Sequence, residues 1–339
     1  MKVALVYKEN TFADEWLKYL QENNIEHFQV DPYQNDVIDK ISKADFFFWH
    51  FDHFDHKDVL CAKSIINSLE GKVKCFPNFK ECFYFNDKLS QKYLLEAHQI
   101  QIPQTNVFYD KEEAKNFVSE TKFPVVAKLR KGAGSSNVWL LKNIKEANEF
   151  INKSFGNGFS VFNAKKYLQT RFQTSKQNQS RLQNSLKGMR GAMINKGTAA
   201  LQSKEKGYVL FQEYIPNDGF DIRVVVINKN KAFSARREVK ENDWAASGSG
   251  IASYPNEHLD IAYAKAAFEI ADKLDTRCIA IDFVREKNSN AIYTVEVSVF
   301  YAFYSMKPAS GYWNRGLDWT EDDRDPQYFL IENFLSNNI

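Results

Sequence analysis

In a stretch toward the end of the chain, residues 278–298, two acidic side chains are predicted to face each other across a hairpin. The stretch is typical of two strands around a polar turn, because apolar residues alternate with others on both sides of a Lys-Asn-Ser-Asn run. If the hairpin folds about Ser289, Asp282 lies directly opposite Glu296. Facing carboxylates repel and weaken a sheet, so a cation between them is favoured, and Mg²⁺ typically binds through one or two carboxylates. The alternative is a solvated hairpin face that carries two acids.

Length and composition exclude several classes of protein. The 339 residues are enough for two or three domains. The net charge of +2 argues against nucleic acid as a partner recognised by overall charge, and no apolar run approaches the roughly 18 residues of a membrane span. The start of the chain, MKVALVYKEN, indicates a first strand rather than a signal peptide. The four cysteines show neither zinc spacing nor a dense disulfide pattern, so we expect a cytoplasmic protein.

Residues 1 to about 80 are predicted to form a small α/β unit. Short apolar strands alternate there with helical patterns, and the strand signals are VALVY, HFQV, ADFFFWHF and VKCF. No G-x-G-x-x-G follows the first strand, which argues against a dinucleotide site.

The segment HFDHFDH within this unit holds three of the six histidines, namely His50, His53 and His56. One interpretation is a metal site, although zinc sites within one element more often use i, i+4 spacing. A second is a substrate-facing loop at the carboxyl end of a strand, where α/β folds bind ligands. The third is a polar loop with Asp55 or His56 near a helix N-cap. The sequence leaves these three interpretations open.

Two lysines lie where they could bind an anion. Lys88 falls in the first turn of a predicted helix and opposes the helix dipole, so it is either solvated or paired with a bound anion. Lys128 lies on the strand PVVAKL, just before a Gly/Ser loop whose N–H groups and hydroxyls can hold phosphate. The small residues of that loop are Gly132, Gly134, Ser135 and Ser136. A plain hairpin turn is the alternative, because the G-K-[ST] ending of a Walker loop is missing.

Residues 165–206 are unusually basic, with ten Lys or Arg and one acid, Glu205. One interpretation is a mobile, solvated insertion, because base-stacking aromatic side chains are sparse from Gln173 to Lys206. The other is a basic arm for nucleic acid or a membrane surface. The near-neutral overall charge argues against the nucleic-acid interpretation.

Five motifs occur in an order that is more specific than any of them alone. They are DK at 87–88, VVAK at 125–128 before the Gly/Ser loop, LFQEYIP at 210–216, FDIRVVV at 220–226 and AIDF…VEVS at 280–298. In this order they resemble the ATP-grasp superfamily over nearly the whole chain. The resemblance implies an α/β (α+β) fold, with an ATP-grasp fold that follows an N-terminal pre-ATP-grasp α/β domain.

Within the superfamily, residues 219–250 look most similar to the glutathione-synthase and ribosomal-protein glutamate-ligase branch. The chain looks closer still to ATP-grasp proteins of bacterial surface-polysaccharide gene clusters, which share the VEVS-like ending and a GYW segment. The domains that the resemblance implies are 1–80 (pre-ATP-grasp), 81–122 (connecting helix and strand), 123–212 (small lid subdomain with the basic insertion 165–206) and 213–339 (large subdomain with the metal site).

The resemblance also assigns roles to individual residues. Those implied to bind ATP are Lys88 and Lys128 at the phosphates, Gly132, Gly134, Ser135 and Ser136 in the lid loop, Gln212, Glu213 and Tyr214 at adenine, and Asp221 at the ribose. Those implied to hold Mg²⁺ are Asp282, Glu296 and Ser298. Those implied to stabilise the γ-phosphate and a developing acyl phosphate are Arg223, Arg236 and Arg237.

Two parts of the sequence depart from the family pattern. The third metal ligand is usually an asparagine, whereas this chain has Ser298, whose hydroxyl can bind Mg²⁺ directly or through water. The glutamate-ligase branch carries Arg and Asn in the loop after the arginine pair, where this chain has Ala245 and Ser247. The substrate side therefore has one cation fewer, which leaves the substrate class open.

The function that the resemblance implies is an ATP-dependent carboxylate–amine ligase that works through an acyl phosphate. Its expected partners are a small-molecule carboxylate, either a sugar acid or an amino acid, and a small amine in a surface-glycan or peptide pathway. The alternative is a nucleotide-binding regulatory or scaffold protein with the same fold and no ligase activity, favoured by Ser298 and Ala245. Dimers are common among the relatives, so the resemblance also allows a homodimer.

Overall fold

The computed structural model describes residues 1–52, 55–132, 136–160, 204–241, 243–247, 249–254 and 259–336, with only the backbone described at His56 and Val59. These residues form three sheets and the helices that cover them. The strands are β1 (Lys2–Val6), β2 (Glu26–Gln29), β3 (Phe46–Trp49), β4 (Lys74–Phe76), β5 (Thr105–Phe108), β6 (Val125–Lys128), β7 (Val138–Leu141), β8 (Val209–Glu213), β9 (Phe220–Ile227), β10 (Lys231–Glu238), β11 (Ala252–Ser253), β12 (Cys278–Arg285), β13 (Ile292–Ser298), β14 (Gly311–Asn314) and β15 (Trp319–Glu321). The helices are α1 (Ala13–Glu22), α2 (Val37–Ile41), α3 (His56–Ser68), α4 (Phe79–Tyr84), α5 (Lys88–Ala97), α6 (Lys111–Glu120), α7 (Ile144–Phe155), α8 (Ile261–Lys273) and α9 (Pro326–Ser336), with a 3₁₀ turn at Phe303–Met306.

The first sheet is parallel, with strands in the order β2-β1-β3-β4. Parallel strands need a crossover connection, and the alternation of short apolar strands with helices supplies it. All four residues of β3 are buried, as is usual for a strand covered on both faces. The sheet lies inside the unit predicted for residues 1–80, and the boundary of that unit stays a prediction.

The second sheet is antiparallel, in the order β13-β12-β9-β10-β14-β15 with β11 beside β10. Helix α8 begins after its N-cap Asp260 and packs against β9, β10 and β12. Phe283 of β12 contacts Tyr263 of α8, with ring centroids 5.9 Å apart. Because side chains alternate along a strand, Asp282 points away from α8, and the sheet's other face is left for polar residues.

The third sheet is a small antiparallel one, in the order β5-β8-β6-β7. Helices α6 and α7 cover it, and together they enclose a separate apolar core that includes Phe211 of β8 and Phe150 of α7. Strand β5 lies in the segment predicted to connect the domains, yet it pairs with β8 and completes this sheet. We refer to the third sheet with its two helices as the lid.

The first sheet and the second sheet share one continuous apolar core. Helix α9 inserts Phe334 between the two units, within 5.0 Å of Phe48 and 6.2 Å of Phe76 measured between ring centroids. Phe300, just after β13, packs on Phe51 at 5.0 Å and on Phe12 at 5.5 Å. The carboxyl end of the first sheet is therefore packed directly against the end of the acidic hairpin.

A buried carboxylate also joins these two units. Glu81 of α4 accepts hydrogen bonds from the backbone N–H of Asn78 (2.8 Å), from the N–H of Arg277 (2.9 Å) and from the hydroxyl of Thr276 (2.9 Å). Burial raises the pKa of Glu81, and the three hydrogen bonds oppose the rise. Because Thr276 and Arg277 lead into β12, Glu81 fixes α4 to the strand that carries Asp282.

Most of the basic insertion lies outside the described residues, which resume at Lys204. The two interpretations of residues 165–206 therefore stay predictions. Among the described helices, none is both long and apolar enough to cross a membrane.

Candidate active site

A cleft of about 820 Å³ lies between the lid and the second sheet. Most of the predicted nucleotide and metal residues line it. They are Lys88, Lys128, Gly132, Gln212, Glu213, Tyr214, Asp221, Asp282 and Glu296. These residues come from four separate stretches of sequence, and the folding of the lid over the sheet brings them to one place.

The acidic hairpin folds as its sequence predicts, with Asp282 of β12 and Glu296 of β13 directly opposite each other. The register shifts by one residue beyond this pair, between Asp282 and Phe283. Asp282 is buried, whereas the Glu296 side chain is 31% exposed toward the cleft. The two carboxylates therefore differ, since one is enclosed and one is accessible.

Two arginines neutralise Asp282. Arg223 of β9 donates from Nε to Oδ1 (2.7 Å) and from Nη2 to Oδ2 (2.8 Å), and Nη2 of Arg237 lies 2.7 Å from Oδ2. Burial alone would raise the pKa of Asp282, but Arg223 and Arg237 outweigh it and hold the pKa well below its usual range. Asp282 is therefore an anion whose charge is shared by two guanidinium groups.

The predicted arginine pair is split between the two faces of the sheet. Arg237 of β10 turns to Asp221 and Asp282 on the cleft side. Arg236 instead donates to Glu238 at 2.6 Å and lies 3.8 Å above the ring of Phe220. Neighbouring strand residues point to opposite faces, so the structure brings Arg223 and Arg237 to the carboxylates and leaves Arg236 on the other side.

Lys88 and Lys128 approach the carboxylates from the lid side. The Nζ of Lys88 donates to the carbonyl of Gly132 at 2.6 Å and lies 3.6 Å from Glu296. The Nζ of Lys128 donates to the carbonyl of Val295 at 3.3 Å. The pKa of Lys128 is lowered to about 8. Burial lowers it most, Glu296 raises it, and Lys88 lowers it. Both lysines are buried, and the Nζ of each donates to a backbone carbonyl.

The first residue of the Gly/Ser loop has a backbone that requires glycine. Gly132 has φ +131°, and a Cβ there would lie 2.6 Å from the carbonyl oxygen of Ser136. Its N–H donates to Oδ1 of Asn86 at 2.8 Å. Gly134 and Ser135 lie outside the described residues, so their predicted role at the phosphates stays a prediction.

Two residues that the sequence analysis did not single out for the site, Tyr208 and Glu205, hold the backbone before this loop. The hydroxyl of Tyr208 accepts from the N–H of Arg130 and donates to Oε2 of Glu205, both at 2.7 Å. The carbonyl of Arg130 accepts from the N–H of Lys88 at 2.8 Å. Residues 130 and 208 are far apart in the chain, so no local pattern could have indicated this contact.

Part of the cleft lining is apolar. The segment Gln212–Ile215 lines the cleft together with Val126, Val138 and Val295. The side chain of Gln212 donates to Thr105 at 2.9 Å, and its backbone lies within the third sheet between β5 and β6. Trp244 contacts Tyr214 edge to face at 6.5 Å. An apolar slot with a few backbone polar groups is typical of a pocket for a purine base.

The loop that departs from the family pattern also borders the cleft. Ala245 and Ser247 line it beside Trp244. Their short side chains leave this wall without the cation that the glutamate-ligase branch carries there.

The residues at the hairpin fit a magnesium ion. Glu296 is accessible, and the hydroxyl oxygen of Ser298 is buried without a hydrogen-bond partner among the described protein atoms. Oδ1 of Asp282 accepts a hydrogen bond from Nε of Arg223, and a carboxylate oxygen can take more than one donor or ligand. Three oxygen donors on one face suit Mg²⁺, which prefers oxygen ligands and keeps several waters. Among the described residues, no group of three or more His, Cys, Asp or Glu is placed to hold a metal ion, so a magnesium site here would need the hydroxyl of Ser298 beside the two carboxylates.

The histidine segment is described only in part. The N–H of Phe12 donates to Nδ1 of His50 at 3.1 Å, and the two rings stack at 4.3 Å. His50 also contacts Phe300 at 4.5 Å. His53 and the side chain of His56 lie outside the described residues, so the three interpretations stay open. Asp55 caps α3, as the third one expects.

The fold and the cleft together define an ATP-grasp protein. Solved structures of similar fold include a RimK domain ATP-grasp protein from Sphaerobacter thermophilus, with 14% identity, a TM-score of 0.55 and coverage of 99% of this chain and 100% of that one. D-alanine–D-alanine ligase from Bacillus anthracis, solved with ATP, has 13% identity, a TM-score of 0.56 and coverage of 99% and 97%. D-cycloserine synthetase has 11% identity, a TM-score of 0.58 and coverage of 100% and 99%.

A family model, the RimK-like ATP-grasp domain, matches residues 85–307, which is more than half of the chain. The chain therefore belongs to the RimK-like ATP-grasp family. No curated protein sequence matches it. The predicted fold, the predicted superfamily and the predicted class of enzyme, an ATP-grasp ligase, are confirmed.

Proposed function

We propose that this protein is an ATP-dependent carboxylate–amine ligase. The observation that carries the proposal is that one cleft is lined by an apolar surface, by two buried lysines and by the facing pair Asp282 and Glu296. These are the groups that a base, its phosphates and a cation require. The proposal extends to the nucleotide and metal roles given above and to Arg223 at the γ-phosphate, but not to Arg236, which pairs with Glu238 on the other face of the sheet.

The chain's own residues would orient the nucleotide. The backbone of Gln212–Ile215 would meet the base edge, and Asp221 would accept hydrogen bonds from the ribose. Lys88 and Lys128 would meet the phosphates, which carry the charge that two buried ammonium groups need. Release of Gly132 from the ammonium of Lys88 would let the Gly/Ser loop approach the same phosphates.

Glu296, Ser298 and Asp282 would hold Mg²⁺, which when bound offsets the negative charge of the phosphate oxygens. Arg223 lies beside Asp282 with its side chain 18% exposed, so it can reach a phosphoryl group above the carboxylate. Fixed positive groups of this kind stabilise the charge that develops during phosphoryl transfer.

The proposed reaction has two steps. A carboxylate oxygen attacks the γ-phosphorus, the bond to the β-phosphate oxygen breaks, and ADP leaves. The nitrogen of a neutral amine then attacks the acyl carbon, the bond to phosphate breaks, and the amine loses a proton. The products are an amide, ADP and inorganic phosphate. Closure of the lid would exclude water, which would otherwise hydrolyse the acyl phosphate.

We further propose a sugar acid or an amino acid as the carboxylate and a small amine as the acceptor, in surface-glycan or peptide synthesis. The resemblance to surface-polysaccharide ATP-grasp proteins supports this, and so do Ala245 and Ser247, which leave room beside the cleft. The similar structures named above include a ligase that joins two D-alanines, which supports an amino acid on either side.

The test is Mg²⁺-dependent ADP release against a panel of sugar acids and amino acids paired with small amines. The matched variant is Glu296→Gln, because its side chain is partly exposed and keeps its shape. Asp282→Ala is a poorer choice, since it leaves Arg223 and Arg237 buried without their carboxylate. Turnover with one particular pair, reduced about 100-fold or more in Glu296→Gln, is expected from loss of a metal ligand.

Glu238→Gln is the control, since Glu238 pairs with Arg236 outside the cleft. It should keep wild-type turnover. ATP binding with no turnover on any pair would support the alternative of a non-catalytic nucleotide-binding protein. Absence of ATP binding would refute the proposed function altogether.

A further inference from the structure

Arg237 is shared between two neighbouring carboxylates to which the proposed function gives different roles, Asp221 at the ribose and Asp282 at the metal. Its Nε and Nη2 donate to Oδ1 and Oδ2 of Asp221, each at 2.6 Å. The same Nη2 lies 2.7 Å from Oδ2 of Asp282. The Arg237 side chain is 12% exposed, and both carboxylates are buried. Water therefore offers little replacement for either contact.

These contacts extend into a chain of alternating charges. On the cleft side of β9, β10 and β12, each charged side chain is bonded to the next one in the series Asp221, Arg237, Asp282 and Arg223. The two bonds from Arg237 to Asp221 are parallel, which is the strong bidentate geometry of arginine. Nε and Nη2 of the guanidinium are thus both engaged, and Nη2 contacts both carboxylates.

We propose that Arg237 is a positioning residue that couples the ribose end of the nucleotide site to its metal end, and that it is not a ligand of the phosphates. This inference rests on the proposed function, which gives Asp221 to the ribose and Asp282 to the metal. A guanidinium that turned toward a phosphate would leave Asp221 buried without its partner, and breaking a buried pair in this way is strongly unfavourable. Arg223 pairs with Asp282 alone in the described contacts, so it is the arginine left for the phosphoryl group.

The sharing has a consequence for ligand binding. One cation balances both carboxylates, so a change in the charge of Asp221 alters how strongly Arg237 is held at Asp282. A lysine cannot reproduce this arrangement, because its ammonium is a compact point charge without the planar fork.

The first experiment compares the binding of adenosine, ADP and ATP to the wild type and to Arg237→Lys by calorimetry. A positioning residue acts through the ribose contact, so all three affinities should fall by a similar factor, about tenfold for the loss of a bidentate charged pair. If adenosine binds as in the wild type and the loss grows from ADP to ATP, Arg237 contacts phosphate and the inference is overturned.

The second experiment tests the coupling itself with Asp221→Asn, which stays folded more readily because it keeps the size of the side chain. The affinity for ATP is measured across a range of Mg²⁺ concentrations. We expect the Mg²⁺ concentration that gives half of the increase in ATP affinity to rise about threefold or more. Arg237 would lose its charged partner Asp221 and be held more strongly by Asp282, which would then bind Mg²⁺ less well. An unchanged Mg²⁺ response would overturn the coupling.

Two measurements keep the outcomes separate. Arg285→Lys is the control for loss of an arginine in the same sheet, because Arg285 pairs with Asp260 at the helix α8 side, and it should bind as the wild type does. Thermal unfolding of each variant shows whether it is folded. A wild type that binds no ATP refutes the proposed function, whereas phosphate-dependent losses in Arg237→Lys refute this inference and leave the proposed function intact.

Discussion

At the scale of single residues, the site is an arrangement of buried charges. Asp282 owes its depressed pKa to two arginines, and Lys128 owes its depressed pKa to burial. Glu296 is the more exposed of the two facing carboxylates. Each charge is tolerable because an opposite charge or a polar group lies within a few ångströms. The site is therefore suited to an anionic ligand that binds together with a cation.

The pKa of about 8 at Lys128 predicts a pH dependence of ATP affinity. The ammonium form attracts phosphate and the neutral form does not, so affinity should be constant below pH 8. Above pH 8 the dissociation constant should rise by up to about tenfold per pH unit, because one proton must be taken up on binding. Calorimetric titration with ATP between pH 7 and 9.5 measures this.

Lys128→Arg is the matched variant, because arginine keeps its charge throughout this range. A rise in the dissociation constant that persists unchanged in Lys128→Arg would show that another group titrates. The sign for stability is opposite: the ordinary pKa of lysine is 10.5 and the folded value is lower. The unfolded chain then binds the additional proton between about pH 8 and 10.5, so Lys128 makes the free energy of unfolding increase with pH there.

At the scale of elements, the phosphate site depends on how the end of β6 is held. Arg130 follows this strand, and both of its backbone polar groups bond to distant residues, Tyr208 and Lys88. Glu205, which also forms a β-bridge with Phe159, receives the Tyr208 hydroxyl. Glu205, near the carboxyl end of the basic insertion, is therefore connected through Tyr208 to the backbone that leads into the Gly/Ser loop.

Tyr208→Phe tests this connection. It removes one hydroxyl and leaves the N–H of Arg130 and one oxygen of Glu205 without this partner in a buried place. We expect the free energy of unfolding to fall by about 1–3 kcal/mol and ATP to bind several-fold more weakly. Urea unfolding and calorimetry measure the two effects.

Tyr109→Phe is the control, since the hydroxyl of this exposed tyrosine is hydrogen bonded to that of Tyr93, which is also exposed. Its unfolding free energy should stay within about 0.5 kcal/mol of the wild type. Equal effects of the two substitutions would argue against a specific role for Tyr208.

At the scale of the whole molecule, the N-terminal unit and the second sheet behave as one body because they share an apolar core. Phe334 of α9 packs against Phe48 and Phe76 of the first sheet, although α9 and this sheet lie at opposite ends of the chain. Glu81 adds a polar connection to the start of β12. The lid, with its own core, contacts this body around the cleft.

We predict that residues 1–80 expressed alone do not fold stably, because α9 and Phe300 would no longer cover the first sheet. Circular dichroism and thermal unfolding of the fragment check this, and a cooperative transition near that of the full chain would contradict it.

In the full chain, Phe334→Ala should lower the free energy of unfolding by about 3–5 kcal/mol, as is typical for a buried phenylalanine.

Local pattern determined much of this protein. Period-2 alternation and a short polar turn were enough to predict that Asp282 faces Glu296, because hairpin register is set by the turn and by which side chains are apolar. The order of motifs was enough for the superfamily. The same alternation could have separated Arg236 from Arg237, since neighbouring strand residues cannot share a face.

Tertiary structure alone decided the rest, because the remaining contacts join residues far apart in the chain. Strand β5 joins the lid only because β8, a hundred residues later, lies beside it. The anchors of the Gly/Ser loop, Asn86 and Tyr208, are recognisable only once α5 and β8 flank β6. The sharing of Arg237 between Asp221 and Asp282 requires three adjacent strands in register. Local propensity carries no information about contacts between residues so far apart in the chain. The sequence by itself therefore determined the helices and strands, and the tertiary structure decided which side chains meet at the site.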